Sequence, residues 1–388
     1  MNAPATALTV GMVAGEASGD LLAGLLMGAM RKRWPEINVV GIGGPSMVSH
    51  GMQAWWPHHL LSVHGFGWDV LLRYREIIGI RRQLRSRLLE KMPSLFIGVD
   101  APDFNLQLEE DLRKKGIKTM HFVCPSVWAW RAHRIEQLKR SVNHVLCIFP
   151  FEPELLASHG IEATYVGHPL AQVIPMQPDR AAARQALGLS ENDDLVALLP
   201  GSRVSEVKHL ATCFLEAAVH MLSHKPNLQF VLPAAPGLQA TLEAAVLKSG
   251  LSGKVRVIAG QSHTVLAACD VTLIASGTAT LEAALFKRPM VIAYRMGALS
   301  WHLMKRKRLQ PWVGLPNILC EEFVVPEFLQ EAATPIALAD SALEWLDAKH
   351  HAPHKLRTLE NRFHDLHQLL SRDTPQLALE AIEKVLHG

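Results

Sequence analysis

Short apolar runs recur along this chain, each followed by a longer stretch with helical spacing, and no other feature restricts its fold as much. In the first half the runs lie at 8–14, 39–42, 95–99, 119–123, 144–149 and 163–166. Continuous apolar runs bounded by glycine or proline and separated by helices are the pattern of parallel strands covered on both faces. Between 170 and 194 the pattern lapses into Pro175, Pro178, a short helix-like stretch and a charged segment, which reads as a linker. A second series follows at 195–199, 229–232, 255–258, 271–275 and 290–293. The expected fold is α/β, with two Rossmann-like doubly wound domains facing a cleft. They are expected at 1–172 and 173–354, with C-terminal helices at about 355–388 returning to the first. Such sheets bind ligands beyond the carboxyl ends of their strands.

Composition narrows the function. The 388 residues carry 39 basic and 36 acidic side chains, with 49% hydrophobic and 19% charged residues, so the chain is globular and any basic surface is local. No nucleic-acid partner is expected. Five scattered cysteines without a Cys-x-x-Cys spacing suggest neither a disulfide framework nor structural zinc, and fit a reducing cytosol. Residues 1–15 lack the basic start of a secretory signal, and 271–286 is interrupted by Glu282, so export and membrane spanning are not expected. The dinucleotide fingerprint fails at Ser46, no P-loop is present, and no carboxylate or histidine pairing calls for a metal.

What remains is a set of turns at strand ends. Glu16, Ser18 and Asp20 follow the first run and either orient a ligand or cap a helix. Asp100 directly follows the run 95–99, where a carboxylate is placed to act as a general base; Asp103, beside Pro102, reads as a cap. The loop with Ser126, Trp128, Trp130 and Arg131 is either a binding wall or a cover for the core. In the second half Gly201, Ser202 and Arg203 end a run, and Arg203 suits bidentate contact with phosphate. Ser276, Gly277, Thr278 and Ala279 lead into a helix whose start favours an anion, with Glu282 about one turn further on to hold hydroxyls. Together these would clamp a diphosphate without metal, and Asn317 and Gln330 add polar groups. Two stretches pair positive charge with apolar spacing: 70–92, with Arg81, Arg82 and Arg85, and 301–312, with Lys305, Arg306, Lys307 and Arg308. They suit either an anionic bilayer surface or an ordinary solvated helix face.

These residues resemble a known family. Gly15-Glu16-Ala17-Ser18-Gly19-Asp20, the string from Gly98 to Leu106, Pro125-Ser126-Val127-Trp128-Ala129-Trp130-Arg131, Pro150-Phe151-Glu152, Val166-Gly167-His168, Leu199-Pro200-Gly201-Ser202-Arg203, Ser276 to Glu282 and Leu315-Pro316-Asn317-Ile318-Leu319 match, in order, the lipid-A-disaccharide synthase family of inverting GT-B glycosyltransferases. The resemblance implies transfer of diacylglucosamine from UDP-2,3-diacylglucosamine to the 6-hydroxyl of 2,3-diacylglucosamine 1-phosphate (lipid X). The products are the β-1,6 disaccharide and UDP. It implies no cofactor and no metal, with Asp100 as base and Glu16 as its alternative or partner. Residues 201–203, 276–279, Glu282, Asn317 and Gln330 would hold the donor. Ser18, Asp20, Asp103, Ser126, Trp128, Trp130 and Arg131 would border the acceptor and its acyl chains. Trp68 joins that group, because His64 to Asp69 stands where the family usually has Met-Gly and then a glutamate. The family is a cytoplasmic, peripheral protein of the inner face of the bacterial inner membrane and a homodimer. Rival readings are another UDP-sugar enzyme of this fold, such as a UDP-N-acetylglucosamine epimerase or a peptidoglycan-precursor transferase, or a lipid-binding protein without chemistry.

Overall fold

The computed structural model of the chain describes residues 8–61, 68–128, 134–297, 301 and 309–388. They form two compact units, 1–169 with 370–388, and 170–369. The first contains seven parallel strands: β1 (Thr9–Ala14), β2 (Asn38–Gly43), β3 (Gln53–Pro57), β4 (Leu95–Val99), β5 (Lys118–Phe122), β6 (His144–Cys147) and β7 (Ala163–Tyr165). Their order is β3-β2-β1-β4-β5-β6-β7. The second contains β8 (Leu195–Leu199), β9 (Gln229–Ala234), β10 (Val255–Ala259), β11 (Val271–Ala275), β12 (Met290–Tyr294) and β13 (Glu327–Leu329), in the order β10-β9-β8-β11-β12-β13. In each sheet the winding reverses beside its first strand. The register pairs Ala14 with Val99 and Leu199 with Ile274, so the turns after β1 and β4, and after β8 and β11, lie side by side.

Apolar strands build both cores. β4 and β8 are buried along their whole length, because helices cover both faces of each sheet. β3 and β13 escape notice in the sequence since both are edge strands, half exposed and without a continuous apolar run. The basic helix Trp68–Lys91 turns Ile80, Leu84 and Leu88 into the core against Val13, Phe96 and Leu108. Burying Leu84 and Leu88 stabilises the fold by about 1.5–3 kcal/mol each. Ile80, Leu84 and Leu88 are therefore committed to the core of their own unit.

Three expectations are adjusted. The boundary falls at 169/170 instead of 172/173, and the returning segment begins at Leu370, so the helix Pro353–Leu370 belongs almost wholly to the second unit. The stretch 170–194 is no loose linker. Arg184 in it is fully buried, donating to the carbonyls of Ala268, Ser190, Glu191 and Asp193 and pairing with Asp270 at 2.7 Å. The last helix, Thr374–His387, packs on the helix Ala17–Arg33 and on β6 and β7. Among the described residues no helix is long and apolar enough to cross a membrane.

Candidate active site

At the β1–β4 switch point, Glu16 is the extended residue before the helix Ala17–Arg33; it is exposed and makes no capping bond. Ser18 is exposed beside it. Asp20 serves the backbone: its buried carboxylate accepts from the amides of Gly44 (2.7 Å), Ser46 (2.9 Å) and Met47 (3.1 Å) and so caps the short helix Pro45–Ser49. Capping is the right reading for Asp20, but of the next helix. Asp100 is half-buried, and its Cβ lies 3.8 Å from where a side chain on Gly19 would begin. A Cβ on Gly15 would stand 2.7 Å from that of Ala101, so only glycine lets these turns meet. Asp103 makes no cap: Ala101 is the capping position of the helix Pro102–Arg113, and the exposed Asp103 carboxylate pairs with Arg134.

The loop after β5 is tied down from below. Trp128 donates its indole N–H to Glu152 Oε1 at 3.1 Å and sets its ring edge-on to Phe149 and Phe151, at 6.0 and 5.3 Å. Burial pushes the Glu152 carboxyl up to about 8, although the Phe149 amide and Trp128 hold it down. Trp128 thus covers core, while Ser126 is exposed. Trp130, Arg131 and the side chain of Trp68 lie outside the described residues. Cys124, Cys147 and Glu152 bring one ligand atom each within 4.8 Å of one another and could hold a cation. Burial raises the Cys147 thiol well above its ordinary value, however, so a cation would first have to displace protons there.

At the β8–β11 switch point a cavity of about 420 Å³ is lined by Gly201, Ser202, Arg203, Ser276, Gly277, Thr278, Ala279 and Glu282. All eight are residues expected at the donor. Gly201, with φ of 123°, would bring a Cβ within 2.5 Å of that of Glu206. The helix Thr278–Leu285 begins with no side-chain cap, leaving its first turn and dipole turned to the cavity. Glu282 Oε2 lies 3.4 Å from His263 Nε2. Asn317 and Gln330 do not line the cavity. Asn317 is fully buried and binds Val325 and Glu327, and Gln330 pairs with the backbone of Met296. Sequence reasoning missed Glu206, which the Arg203-x-x-Glu206 capping-box spacing signals, and Pro233 to Pro236 at the end of β9 and just beyond it.

Of the expected membrane-surface residues, Arg81 reaches the Asp103 carbonyl (3.4 Å) and Arg85 meets Asp111 (3.3 Å), while Arg82 is exposed. Lys305, Arg306, Lys307 and Arg308 lie outside the described residues.

The fold is shared with proteins solved in complex with UDP. The S. aureus MnaA–UDP co-structure superposes with a TM-score of 0.67 at 11% identity, covering 98% of this chain and 97% of that one. HepE from Anabaena in complex with UDP and glucose gives 0.55 at 15% identity, covering 97% and 99%. Two parallel-sheet α/β units with polar residues gathered at each switch point define a protein of the GT-B class.

Sequence relatives narrow the class. The family model described as lipid-A-disaccharide synthetase matches residues 10–382. The lipid-A-disaccharide synthase of Albidiferax ferrireducens is 65% identical over 381 residues, covering 98% of both chains. That of Verminephrobacter eiseniae is 60% identical over 386 residues, covering 100% of this chain and 98% of its own. The chain belongs to the lipid-A-disaccharide synthase family, and it is a glycosyltransferase of lipid A biosynthesis.

Proposed function

We propose that the chain condenses UDP-2,3-diacylglucosamine with 2,3-diacylglucosamine 1-phosphate, inverting the anomeric centre and releasing UDP. The observation that carries this reading is the β8–β11 cavity, where the exposed Arg203 and the uncapped start of Thr278–Leu285 line one space suited to a diphosphate. Asp100 takes the proton of the acceptor 6-hydroxyl as that oxygen attacks the anomeric carbon. The bond from that carbon to UDP breaks, and charge growing on the diphosphate is met by Arg203 and the helix start. Glu282 accepts from donor hydroxyls. Glu16 is the alternative base, and Ser18 and Ser126 border the acceptor. No metal enters this scheme, because protein groups supply the countercharge. Further parts of the reading are a cytoplasmic protein that rests on an anionic membrane surface and acts as a homodimer.

The test is incubation of the purified chain with both lipids in detergent micelles containing a chelator, following UDP and disaccharide by mass spectrometry. Disaccharide from the wild type, and far less of it from Asp100→Ala and Arg203→Ala, is expected. Product from Asp100→Ala at the wild-type rate would move the base to Glu16, and loss of product on chelation would overturn the metal-free scheme.

A further inference from the structure

The turn after β4 departs from ordinary backbone geometry. Asp100 and Ala101 have φ of 52° and 43°, the one place among the described residues where two consecutive non-glycine residues take the left-handed region. Such a pair persists only when its surroundings impose it. Asn105 does so directly: fully buried, it donates its amide to the Asp100 carbonyl at 2.8 Å and reaches the Val99 carbonyl at 3.4 Å.

Beneath Asn105 lies a second buried pair. Glu109 Oε1 is 2.7 Å from His121 Nδ1, both side chains are fully buried, and burial raises the Glu109 carboxyl against the opposing pull of His121. A Cβ on Gly98 would stand 2.1 Å from Glu109 Oε1 and 2.9 Å from the Asn105 Cβ, so both side chains press on β4 two residues before Asp100. Asn105 Oδ1, Glu109 Oε2 and His121 Nε2 are buried with no hydrogen-bond partner among the described residues. Leucines flank these positions at 106, 108 and 112, and a core needing only volume would carry apolar side chains here too. Buried polar atoms short of partners call for a physical reason, and a left-handed pair held beside them supplies one.

We infer that Asn105, seated on the Glu109–His121 pair, is a positioning residue that keeps Asp100 and Ala101 left-handed and so fixes the Asp100 carboxylate for proton abstraction, an inference that rests on Asp100 being the base.

The experiment compares Asn105→Ala, Ala101→Gly, the two combined, and Asn105→Ala in an Asp100→Asn background, by steady-state kinetics and thermal melting. Asn105→Ala is expected to lower kcat by about 10- to 100-fold through misplacement of the base, with the KM for the UDP-sugar unchanged. Ala101→Gly should restore most of that loss, because glycine takes positive φ without strain. In the Asp100→Asn background Asn105→Ala should cost nothing further. Equal loss in that background, or no recovery with Ala101→Gly, would overturn the inference. Wild-type turnover by Asp100→Asn alone would instead remove the reading of Asp100 as base, and the glycine rescue would still report whether Asn105 holds the turn. Should Asn105→Ala not fold, Glu109→Gln carries the test at constant volume, with a kcat loss expected in the wild type and absent with Asp100→Asn.

Discussion

Glu206 sets its carboxylate against the amide of Ser202, Oε2 accepting at 3.0 Å, and against the amide of Arg203 at 3.3 Å. The turn after β8 therefore spends both amides on a protein carboxylate, so a diphosphate bound as proposed would meet the Arg203 side chain there instead of these backbone N–H groups. Arg203→Ala is expected to lower kcat by about 10²- to 10³-fold, the scale of losing one charge-stabilising donor. Arg203→Lys should recover only part, for want of the planar fork. Glu206→Gln keeps an acceptor for the turn and should bind UDP as tightly as wild type, whereas Glu206→Ala should weaken it about tenfold. Calorimetric UDP titration decides: equal affinity for Glu206→Ala would mean the turn holds itself.

Asp20 belongs to stability. Removing a carboxylate that serves three amides, in Asp20→Ala, is expected to cost about 2 kcal/mol or more, read from urea denaturation. The acceptor KM of the protein that remains folded should not move. Unchanged stability with a raised acceptor KM would return Asp20 to the substrate.

The sheets and their switch points were legible because fully buried parallel strands leave continuous apolar runs, and the residue after such a run stands at a strand end by geometry. Hence Asp100, Arg203 and the segment 276–279 stand where the sequence places them. Less legible was the consumption of polar groups by the protein itself. Nothing local to Asp20 says that its carboxylate serves amides more than twenty residues away, or that Asn317 binds a segment eight residues on. The basic helix was open to more than one reading, since apolar spacing alone does not say what the face packs against, and the structure sets Leu84 and Leu88 in one core cluster with Phe96.

Glu152 and His168 bend the stability profile in opposite directions. Burial raises Glu152 to about 8 from 4.5, so the folded chain keeps a proton that the unfolded chain has released. Its contribution is complete below pH 4.5 and is lost as pH rises toward about 8. Burial lowers His168 to about 4 from 6.5, so the unfolded chain takes the extra proton and stability falls as pH drops from 6.5 toward 4. Glu152→Gln is expected to flatten the alkaline arm of urea midpoints and leave the acid arm in place. An unaltered alkaline slope would mean that Glu152 is ionised when folded.

Asn317 connects to the turn after β11 at one remove. Its amide nitrogen donates to the Val325 carbonyl and to Glu327 Oε1, both at 2.8 Å, and its oxygen accepts from the Val325 amide at 3.1 Å. Glu327 in turn accepts from the amides of Val313 (2.9 Å) and Gly314 (2.8 Å). The segment so fixed touches the cavity's helix start, with Ser276 donating to the Val313 carbonyl at 2.9 Å and the Leu315 amide to Thr280 Oγ1 at 3.3 Å. Asn317→Ala leaves buried groups short of partners, and is expected to cost about 2–3 kcal/mol of stability and about tenfold in UDP affinity. A side chain that touched the donor directly would lose affinity at constant stability. The double variant with Thr280→Val separates the two cases: if Asn317 works through the 313–315 segment, its effect on UDP affinity shrinks once Thr280 no longer accepts from Leu315, and if it binds donor directly the two losses add.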